Sequence, residues 1–262
     1  MSFTIHEMIH PTAIIVASSK VPASCEVGAY SIIGADVELG EHCEIGSHVT
    51  IHGPTKIGNH NRIFSFAAVG CEPQDLTFKR EKTKLQIGDH NVIREYVTIS
   101  RGTTKGGGIT RIGSHTLIMA YAHIAHDCTI ADHVILANAA TLAGHISIEE
   151  WAVVGALCPV HQFVRIGAHA YIGGGTTITQ DVLPFTKTVA RREVATFGVN
   201  ALGLERRGFS KDRIQKLQRA YKTIRRNNNT QALEILKAEA DSSEDVAMMI
   251  KFIETSERGI IR

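Results

Sequence analysis

Four histidines, one of them followed directly by an aspartate, recur at related positions in this chain. Each lies within three residues of one of three apolar residues that are eighteen positions apart, namely Ile124, Leu142 and Val160. If the chain coils once in about eighteen residues, these side chains line one strip across neighbouring coils. We call this group the histidine strip; its members are His123, His126, Asp127, His145 and His161.

The histidine strip is suited to two kinds of chemistry. One is general base catalysis, in which His126 removes a proton from a substrate hydroxyl while Asp127 holds the imidazole in one tautomer. The other is a metal site, because three neutral imidazoles are good zinc ligands. The strip offers no obvious set of acidic ligands, and we therefore predict general base catalysis and no bound metal.

The elements that position this strip follow from a strict period of six residues. An apolar residue, here called the head, recurs at every sixth position from Ile112 to Ile178, and an earlier series runs from Ile9 to Val69. This period is typical of hexapeptide repeats, in which three units close one triangular coil and the heads point inward. Coils of this repeat class wind left-handed. The twelve later heads are Ile112, Ile118, Ile124, Ile130, Leu136, Leu142, Ile148, Val154, Val160, Ile166, Ile172 and Ile178.

Two interruptions of the period predict external loops. The first, residues 70–86, is polar and basic, and the second is the glycine-rich stretch Thr103 to Gly108. A loop as long as the first one within a compact repeat is more often functional than idle. We expect both loops to lie beside the histidine strip.

The C-terminal part changes to a helical period. Ser210 is a candidate N-cap, and Ser242 with Asp245 resembles a capping box. We predict a mainly β protein, with a left-handed parallel β-helix over residues 1–190 and a small domain of three helices over residues 191–262. The first of these helices is strongly basic, which suits a solvated face or an acidic partner.

Composition excludes several classes of protein. A formal net charge of +2 gives no overall basic field for nucleic acid. The five scattered cysteines fit reduced thiols better than a disulfide framework. No signal peptide and no apolar run of membrane-spanning length is apparent. We expect a cytoplasmic protein without integral membrane contact.

The motifs, taken together and in order, resemble those of the UDP-N-acetylglucosamine O-acyltransferases that start lipid A biosynthesis. The resemblance covers essentially the whole chain. It rests on His10-Pro11-Thr12-Ala13, Pro73-Gln74-Asp75-Leu76, Ile124-Ala125-His126-Asp127-Cys128, Leu142-Ala143-Gly144-His145, Val160-His161-Gln162-Phe163 and Arg206-Arg207-Gly208-Phe209-Ser210.

This resemblance implies a homotrimer with active sites in clefts between subunits. It implies transfer of an R-3-hydroxyacyl chain from acyl carrier protein to the 3-hydroxyl of the sugar. No cofactor is implied beyond the phosphopantetheine of the carrier. His126 would be the general base, Asp127 would orient it, and the Gly144 N–H would stabilise the thioester oxyanion.

The same resemblance assigns the substrate contacts. Those to the sugar and to the 3-hydroxyl of the acyl chain would come from Gln74 and Asp75, with His123 and His145 also touching substrate. His161 and Gln162 would seat the nucleotide sugar, and the uridine diphosphate would face Asn200, Arg206 and Arg207. Gly174 would leave the acyl groove open for about fourteen carbons, and the basic helix would bind the acidic carrier protein.

Some positions depart from the family pattern. Family members often carry a lysine at Thr77, a histidine at Ser100 and an acidic residue at Leu202, and residues 189–193 lack the usual Gly-Asn. Two alternatives therefore stay open. One is N-acylation of a 3-amino analogue of the sugar, and the other is a hexapeptide scaffold without enzymatic activity.

Overall fold

The computed structural model describes residues 8–190, 194–238 and 243–262. The described strands up to the second loop are short. They are β1 (Ile14–Ile15), β2 (Glu26–Val27), β3 (Ile32–Ile33), β4 (Val37–Leu39), β5 (Glu44–Ile45), β6 (Thr50–Ile51), β7 (Thr55–Ile57), β8 (Arg62–Ile63), β9 (Ala68–Cys71), β10 (Lys84–Ile87), β11 (Val92–Ile93) and β12 (Thr98–Ser100).

The strands after that loop continue in the same way. They are β13 (Ile109–Ile112), β14 (Leu117–Ile118), β15 (His123–Ile124), β16 (Thr129–Ile130), β17 (Ile135–Leu136), β18 (Thr141–Leu142), β19 (Ser147–Ile148), β20 (Val153–Val154), β21 (Pro159–Val160), β22 (Arg165–Ile166), β23 (Tyr171–Ile172), β24 (Thr186–Ala190) and β25 (Val194–Val199).

These strands form the three faces of a prism. One sheet has eight strands and contains β15, one has seven and contains β16, and one has ten and contains β17. The chain visits the three sheets in that order, and partners in parallel pairs such as Ile124 and Leu142 are eighteen residues apart. The predicted left-handed parallel β-helix is confirmed.

The heads of the hexapeptides form the core. Ile118, Ile124 and Leu142 are completely buried, and each of the twelve later heads has at most 3% of its surface exposed. Burial of such a side chain contributes about 1.5–3 kcal/mol. Because heads one coil apart stack directly, this contribution repeats along the prism and fixes the register of every corner.

The corners have an unexpected composition. At most corners the residue three positions after a head takes the left-handed conformation, with φ near +60°, although it is rarely glycine. At the edge between the seven- and ten-stranded sheets these residues stack their rings, with neighbouring centroids 3.9 to 6.3 Å apart. We call this the corner stack; it comprises His42, His60, His90, His115, His133, Trp151 and His169.

The two predicted loops lie next to each other where they leave the coils, because Lys84 donates its N–H to the Gly108 carbonyl and accepts the Gly102 N–H. Arg101, 8% exposed, donates from Nη1 to the Gly70 carbonyl at 3.1 Å and lies over the Phe78 ring at 5.5 Å. It therefore holds the start and the middle of the first loop. The second loop contains one 3₁₀ turn, Thr104–Gly106.

The C-terminal part differs from the prediction in its first segment. The stretch before Gly208, expected to be irregular, contains the antiparallel pair of β24 and β25 and an additional short helix. The described residues form four helices, α1 (Ala201–Arg206), α2 (Lys211–Arg226), α3 (Asn229–Ala238) and α4 (Glu244–Glu254). The last three confirm the predicted helices, and the prediction missed α1. Helix α1 is short and contains Gly203, so its periodicity gives little signal.

The caps of these helices can be compared with the predicted ones. The predicted cap of α2 is confirmed, because Ser210 Oγ accepts the Arg213 N–H at 3.3 Å. Ser242, and residues 191–193 beside the predicted domain boundary, lie outside the described residues, so these two predictions remain untested. Within the described ranges, no helix is long and apolar enough to cross a membrane.

Candidate active site

The histidine strip contains a hydrogen-bonded pair at the turn after β15. His126 Nδ1 lies 2.8 Å from Asp127 Oδ2. Asp127 is 9% exposed, and its backbone is left-handed with φ of +60°. Because a carboxylate can only accept, the imidazole donates from Nδ1 and leaves the lone pair of Nε2 as an acceptor.

The Asp127 carboxylate is fixed by the glycine-rich loop. Thr103 donates its N–H to Asp127 Oδ1 at 2.8 Å and its hydroxyl to Oδ2 at 2.6 Å. A Cβ on Gly106 would lie 2.0 Å from Asp127 Cγ, so only glycine allows the loop to approach this closely. Sequence reasoning missed Thr103, because a contact across 24 residues between a loop and a coil has no periodic signal.

Gly144 lies against the His126 ring. A Cβ added at Gly144 would be 2.6 Å from His126 Cε1 and 3.0 Å from Nε2. Within the described residues, the Gly144 N–H donates to no backbone or side-chain acceptor. An amide donor and a proton acceptor are thus adjacent, as acyl transfer to a hydroxyl requires.

The structure also brings His123 and His145 to this pair. His145 Nε2 is 3.8 Å from Asp127 Oδ2, and the His145 ring stacks on Phe163 with centroids 4.6 Å apart. His123 Nδ1 lies 2.7 Å from Thr98 Oγ1. Burial, with a smaller contribution from His126, lowers the pKa of His123 and favours its neutral form.

His161 and Gln162 lie two coils along the prism from His123 and are exposed. His161 Nδ1 donates to the Gln162 carbonyl at 3.1 Å. This contact leaves Nε2 of His161 and the Gln162 side chain facing solvent at the open end of the strip. Both side chains are therefore available to a ligand, and neither belongs to the hydrogen-bonded group around Asp127.

The pair and His145 could also be considered as metal ligands, since their donor atoms lie within 4.8 Å of one another. A tetrahedral ion with ligands about 2.0–2.1 Å away holds them about 3.3 Å apart. The 2.8 Å separation of His126 Nδ1 and Asp127 Oδ2 is instead a hydrogen-bond distance. The arrangement fits a base and its orienting carboxylate better than a metal centre, and the absence of metal remains a prediction.

The first loop places Asp75 within electrostatic reach of His126. Thr77 donates both its N–H and its hydroxyl to Asp75 Oδ1 at 2.8 Å. These two hydrogen bonds, then the charge of Lys105 and a smaller contribution from His126, hold the pKa of Asp75 below its usual range. Gln74 is exposed on the same loop.

The three residues expected to face uridine diphosphate lie elsewhere in the chain. Asn200, Arg206 and Arg207 line a cavity of about 570 Å³ over the ten-stranded sheet, together with Tyr171 and Lys187. His126 lies at the edge between the other two sheets, which is the edge opposite this face. One chain therefore does not bring the two groups together.

Two of these residues are held by structural contacts. Asn200 caps α1 through the Gly203 N–H and donates its Nδ2 to the His169 carbonyl at 3.2 Å. Arg207 lies over the Trp151 ring at 5.5 Å, and burial lowers the pKa of its guanidinium. Its buried Nη1 has no hydrogen-bond partner in the described part of the chain, which suits a site for an anion.

Gly174 lies at the corner after β23, between the ten- and eight-stranded sheets, and is exposed. A Cβ there would lie 3.2 Å from the Ala156 carbonyl oxygen and 3.7 Å from the Ala156 nitrogen, with no other heavy atom of the described residues within 4 Å. Larger side chains would therefore extend outward along the face of the prism, so the position can limit the length of a groove outside the coil.

This chain resembles known proteins over nearly its whole length. A hexapeptide transferase model matches residues 18–53 and 109–144, and a model of domain 2 of UDP-N-acetylglucosamine O-acyltransferase matches residues 181–261. A protein of Herminiimonas arsenicoxydans named acyl-[acyl-carrier-protein]–UDP-N-acetylglucosamine O-acyltransferase is 51% identical over 97% of this chain and 99% of its own. A protein of Stutzerimonas stutzeri with the same name is 50% identical over the same shares.

Solved structures agree with these relatives. The crystal structure of UDP-N-acetylglucosamine O-acyltransferase from Moraxella catarrhalis has a TM-score of 0.94 at 41% identity, covering 97% of this chain and 100% of that chain. The acyltransferase of Francisella novicida also has a TM-score of 0.94, at 39% identity, with 97% of this chain and 94% of that chain covered.

Proposed function

This chain belongs to the family of acyl-[acyl-carrier-protein]–UDP-N-acetylglucosamine O-acyltransferases, and from that premise we propose how its residues carry out the reaction. The enzyme transfers an acyl chain from acyl carrier protein to UDP-N-acetylglucosamine, the first step of lipid A biosynthesis. We propose that the chain is an R-3-hydroxyacyl group, that the acceptor is the 3-hydroxyl of the sugar, and that no further cofactor takes part.

The single observation that carries the mechanism is the His126–Asp127 pair beside the free Gly144 amide. His126 Nε2 takes the proton of the sugar hydroxyl as the oxygen attacks the thioester carbon. Asp127, bonded to Nδ1, stabilises the imidazolium that forms. The Gly144 N–H binds the developing oxyanion, and the proton on His126 then passes to the departing thiolate of the carrier.

Substrate binding follows from the neighbours of the pair. The Asp75 carboxylate accepts hydrogen bonds from hydroxyls of the sugar and of the acyl chain, and the Gln74 amide can both donate to them and accept from them. His123, His145, His161 and Gln162 line the strip along which the nucleotide sugar lies. The acyl chain extends along the prism toward Gly174.

The decisive experiment is acyl transfer from R-3-hydroxyacyl carrier protein to UDP-N-acetylglucosamine and, in parallel, to its 3-amino analogue. We expect ester formation with the hydroxyl sugar. Turnover of the amino sugar alone would replace O-acylation by N-acylation, and turnover of neither would remove the proposed function.

We propose that the active enzyme is a homotrimer with sites between subunits. The cavity lined by Asn200, Arg206 and Arg207 lies on the face opposite His126, so one nucleotide sugar can reach both only if they come from different copies. The edge between the ten- and eight-stranded sheets supports assembly, because it exposes five large apolar side chains: Tyr30, Phe66, Tyr96, Tyr121 and Leu157.

Subunit complementation tests this arrangement. His126→Ala and Arg206→Ala chains are each expected to be defective, whereas trimers assembled from both contain interfaces with one intact His126 and one intact Arg206. Random mixing in equal amounts should restore about a quarter of the wild-type sites. No restoration on mixing would place His126 and Arg206 in the same subunit's site and contradict the shared cleft.

We propose that acyl carrier protein docks on α2. Exposed basic side chains follow the outer face of this helix, whereas Arg213 and Lys216 are occupied by Asp245 and Asp212. The exposed basic residues without such a carboxylate partner in the described structure are Lys211, Arg219, Lys222, Arg225 and Arg226. Carrier proteins are acidic, so this surface is complementary in charge. The cytoplasm is the expected compartment, and no nucleic-acid partner is proposed.

A further inference from the structure

The glycine-rich loop Thr103–Gly108 contacts two carboxylates near His126, although only one contact is direct. At its first residue, Thr103 binds Asp127 through its N–H and its hydroxyl. Two residues later, Lys105 Nζ lies 2.8 Å from Thr77 Oγ1 in the first loop. Thr77 in turn binds Asp75.

The direction of the second connection is fixed by chemistry. A lysine ammonium has only donors, so Thr77 Oγ1 accepts from Lys105 and must point its own hydrogen elsewhere. Asp75 Oδ1, at 2.8 Å, is the acceptor. The three groups therefore form a one-way chain from Lys105 through Thr77 to Asp75.

We propose that Lys105 is a positioning residue for the acyl transfer, which acts through Thr77 to hold the Asp75 carboxylate beside His126. The proposal rests on the function given above, in which Asp75 contacts the sugar and the acyl hydroxyl. It assigns to the glycine-rich loop the task of fixing both carboxylates of the site at once.

The Asp75 carboxylate needs such a tie because the side chains around it are exposed. Gln74, Leu76 and Thr77 are exposed, and Leu76 has no burial at all. Phe78, which directly follows Thr77, lies against Arg101 and donates its N–H to the Asp75 carbonyl, so these contacts hold the backbone of the loop and not the Asp75 carboxylate. An exposed contact of this kind contributes about 0–1 kcal/mol to folding, so its loss should be seen in substrate binding rather than in stability.

The charge of Lys105 reaches Asp75 as well. It adds to the two Thr77 hydrogen bonds in lowering the pKa of Asp75, which stays ionised and able to accept a hydroxyl hydrogen from substrate. The hydroxyl of Thr77 is the geometric link between them, because it lies 2.8 Å from Lys105 Nζ and 2.8 Å from Asp75 Oδ1.

The test compares Lys105→Met, Thr77→Val and the double variant in steady-state acyl transfer. Each single change should raise the KM for UDP-N-acetylglucosamine about tenfold, the loss expected for one hydrogen bond to a charged group. The double variant should be no worse than either single change. Effects that multiply in the double variant would show that Lys105 touches substrate independently of Thr77 and would overturn the proposal, as would an unchanged KM.

Matched variants separate this role from general effects of charge. Lys82→Met removes an exposed lysine of the first loop and should leave the KM unchanged, whereas Thr77→Ser keeps the hydroxyl and should retain wild-type affinity. A rise in KM with Lys82→Met equal to that with Lys105→Met would indicate a diffuse charge effect and contradict the assigned position.

A readout without substrate distinguishes failure of this inference from failure of the proposed function. Carbon NMR titration of the Asp75 carboxyl should show a higher pKa in Lys105→Met than in the wild-type protein. An unchanged titration would overturn the inference even in an active enzyme. Absence of turnover in the wild-type protein, with the expected titration shift, would instead remove the proposed function.

Discussion

Thr103 and Asp127 are joined by two hydrogen bonds, one to each carboxylate oxygen, from the N–H at 2.8 Å and from the hydroxyl at 2.6 Å. The oxygen that accepts the hydroxyl, Oδ2, is also the acceptor of His126 Nδ1. The orientation of the imidazole therefore depends on a residue that lies outside the hexapeptide coils. Asp127 is a left-handed corner residue, and the glycine-rich loop closes over it.

Replacing Thr103 by valine should lower kcat while the KM values change little. Valine keeps the N–H contact and loses the hydroxyl donor, which leaves a buried charged oxygen short of one hydrogen bond, at a cost of about 1.5–3 kcal/mol. We expect kcat to fall about tenfold or more. Thr103→Ser is the control and should retain most activity, and a fully active valine variant would contradict the role of this contact.

Removal of the base should have a larger effect. His126→Ala is expected to lower kcat by a factor of about 10² or more, since general base catalysis contributes about that much. Asp127→Asn should also be strongly impaired, because an amide in place of Oδ2 can favour the wrong tautomer of His126. The comparison is single-turnover acyl transfer with saturating substrates; a rate for His126→Ala within a few-fold of wild type would exclude His126 as the base.

Metal analysis of the purified protein accompanies this comparison. We expect no stoichiometric metal and no loss of turnover after treatment with a chelator. Bound zinc whose removal abolishes activity would assign His126, Asp127 and His145 to a metal centre instead of to a base.

Gly144→Ala should impair catalysis without unfolding the coil. The new Cβ would lie 2.6 Å from His126 Cε1. Because this clash is with a side chain that can rotate away and not with backbone, the coil should keep its fold. Displacement of the ring should lower kcat/KM at least about tenfold, since misplacement of a catalytic group by about 1 Å is costly. The thermal unfolding midpoint should stay close to wild type; unchanged kcat/KM would show that Gly144 does not pack against the working base.

The coils could be predicted from the sequence, because each head repeats one physical requirement, an apolar side chain directly above another. That periodicity fixes the register, and the register places His123, His126 and His145 on one strip. The corner stack had a signal too, since its members stand three residues after a head. The stacking of their rings was not predicted, because it depends on a left-handed backbone that residues other than glycine rarely adopt.

The contacts that complete the site could not be predicted in this way. Thr103 meets Asp127 across 24 residues, and Lys105 meets Thr77 across 28. Both depend on the conformation of loops that interrupt the period, so no spacing rule applies to them. Asn200 was expected only as a ligand residue, whereas in the structure it also caps α1. Helix α1 was not predicted, because its six residues are too few to show a helical period.

Gly174→Met should shorten the preferred acyl chain. A Cβ here would lie 3.2 Å from the Ala156 carbonyl oxygen, so methionine requires a backbone shift of a few tenths of an ångström, and the rest of its side chain would extend along the outer face of the prism. With a series of R-3-hydroxyacyl carrier proteins, we expect wild type to favour about fourteen carbons and the variant to favour a donor shorter by several methylenes, each worth about 0.8 kcal/mol of burial. An unchanged preference would place the end of the groove elsewhere.

The stability of the junction between the prism and the helices should depend on pH through His169. Its ring stacks on Phe185, with centroids 5.4 Å apart, and packs edge-on against Phe209. Burial lowers the pKa of His169 from 6.5 to about 4. The charges of Arg207 and Arg213 act in the same direction, and the charge of Asp245 opposes them. The unfolded chain therefore binds more protons than the native one between these two values, and stability falls as the pH decreases through this window.

The expected size of the His169 effect is modest. A pKa unit corresponds to about 1.4 kcal/mol, but the side chain is partly exposed and solvent screens its charge, so about 1–2 kcal/mol should be lost between pH 6.5 and pH 4. His169→Phe keeps the stacked ring, the backbone carbonyl that accepts Asn200 Nδ2 and the apolar contacts, and it removes the titration. Unfolding midpoints measured across this window should decrease less steeply in His169→Phe than in wild type. Identical slopes would show that acid sensitivity arises at other groups, and that protonation of His169 does not open this junction.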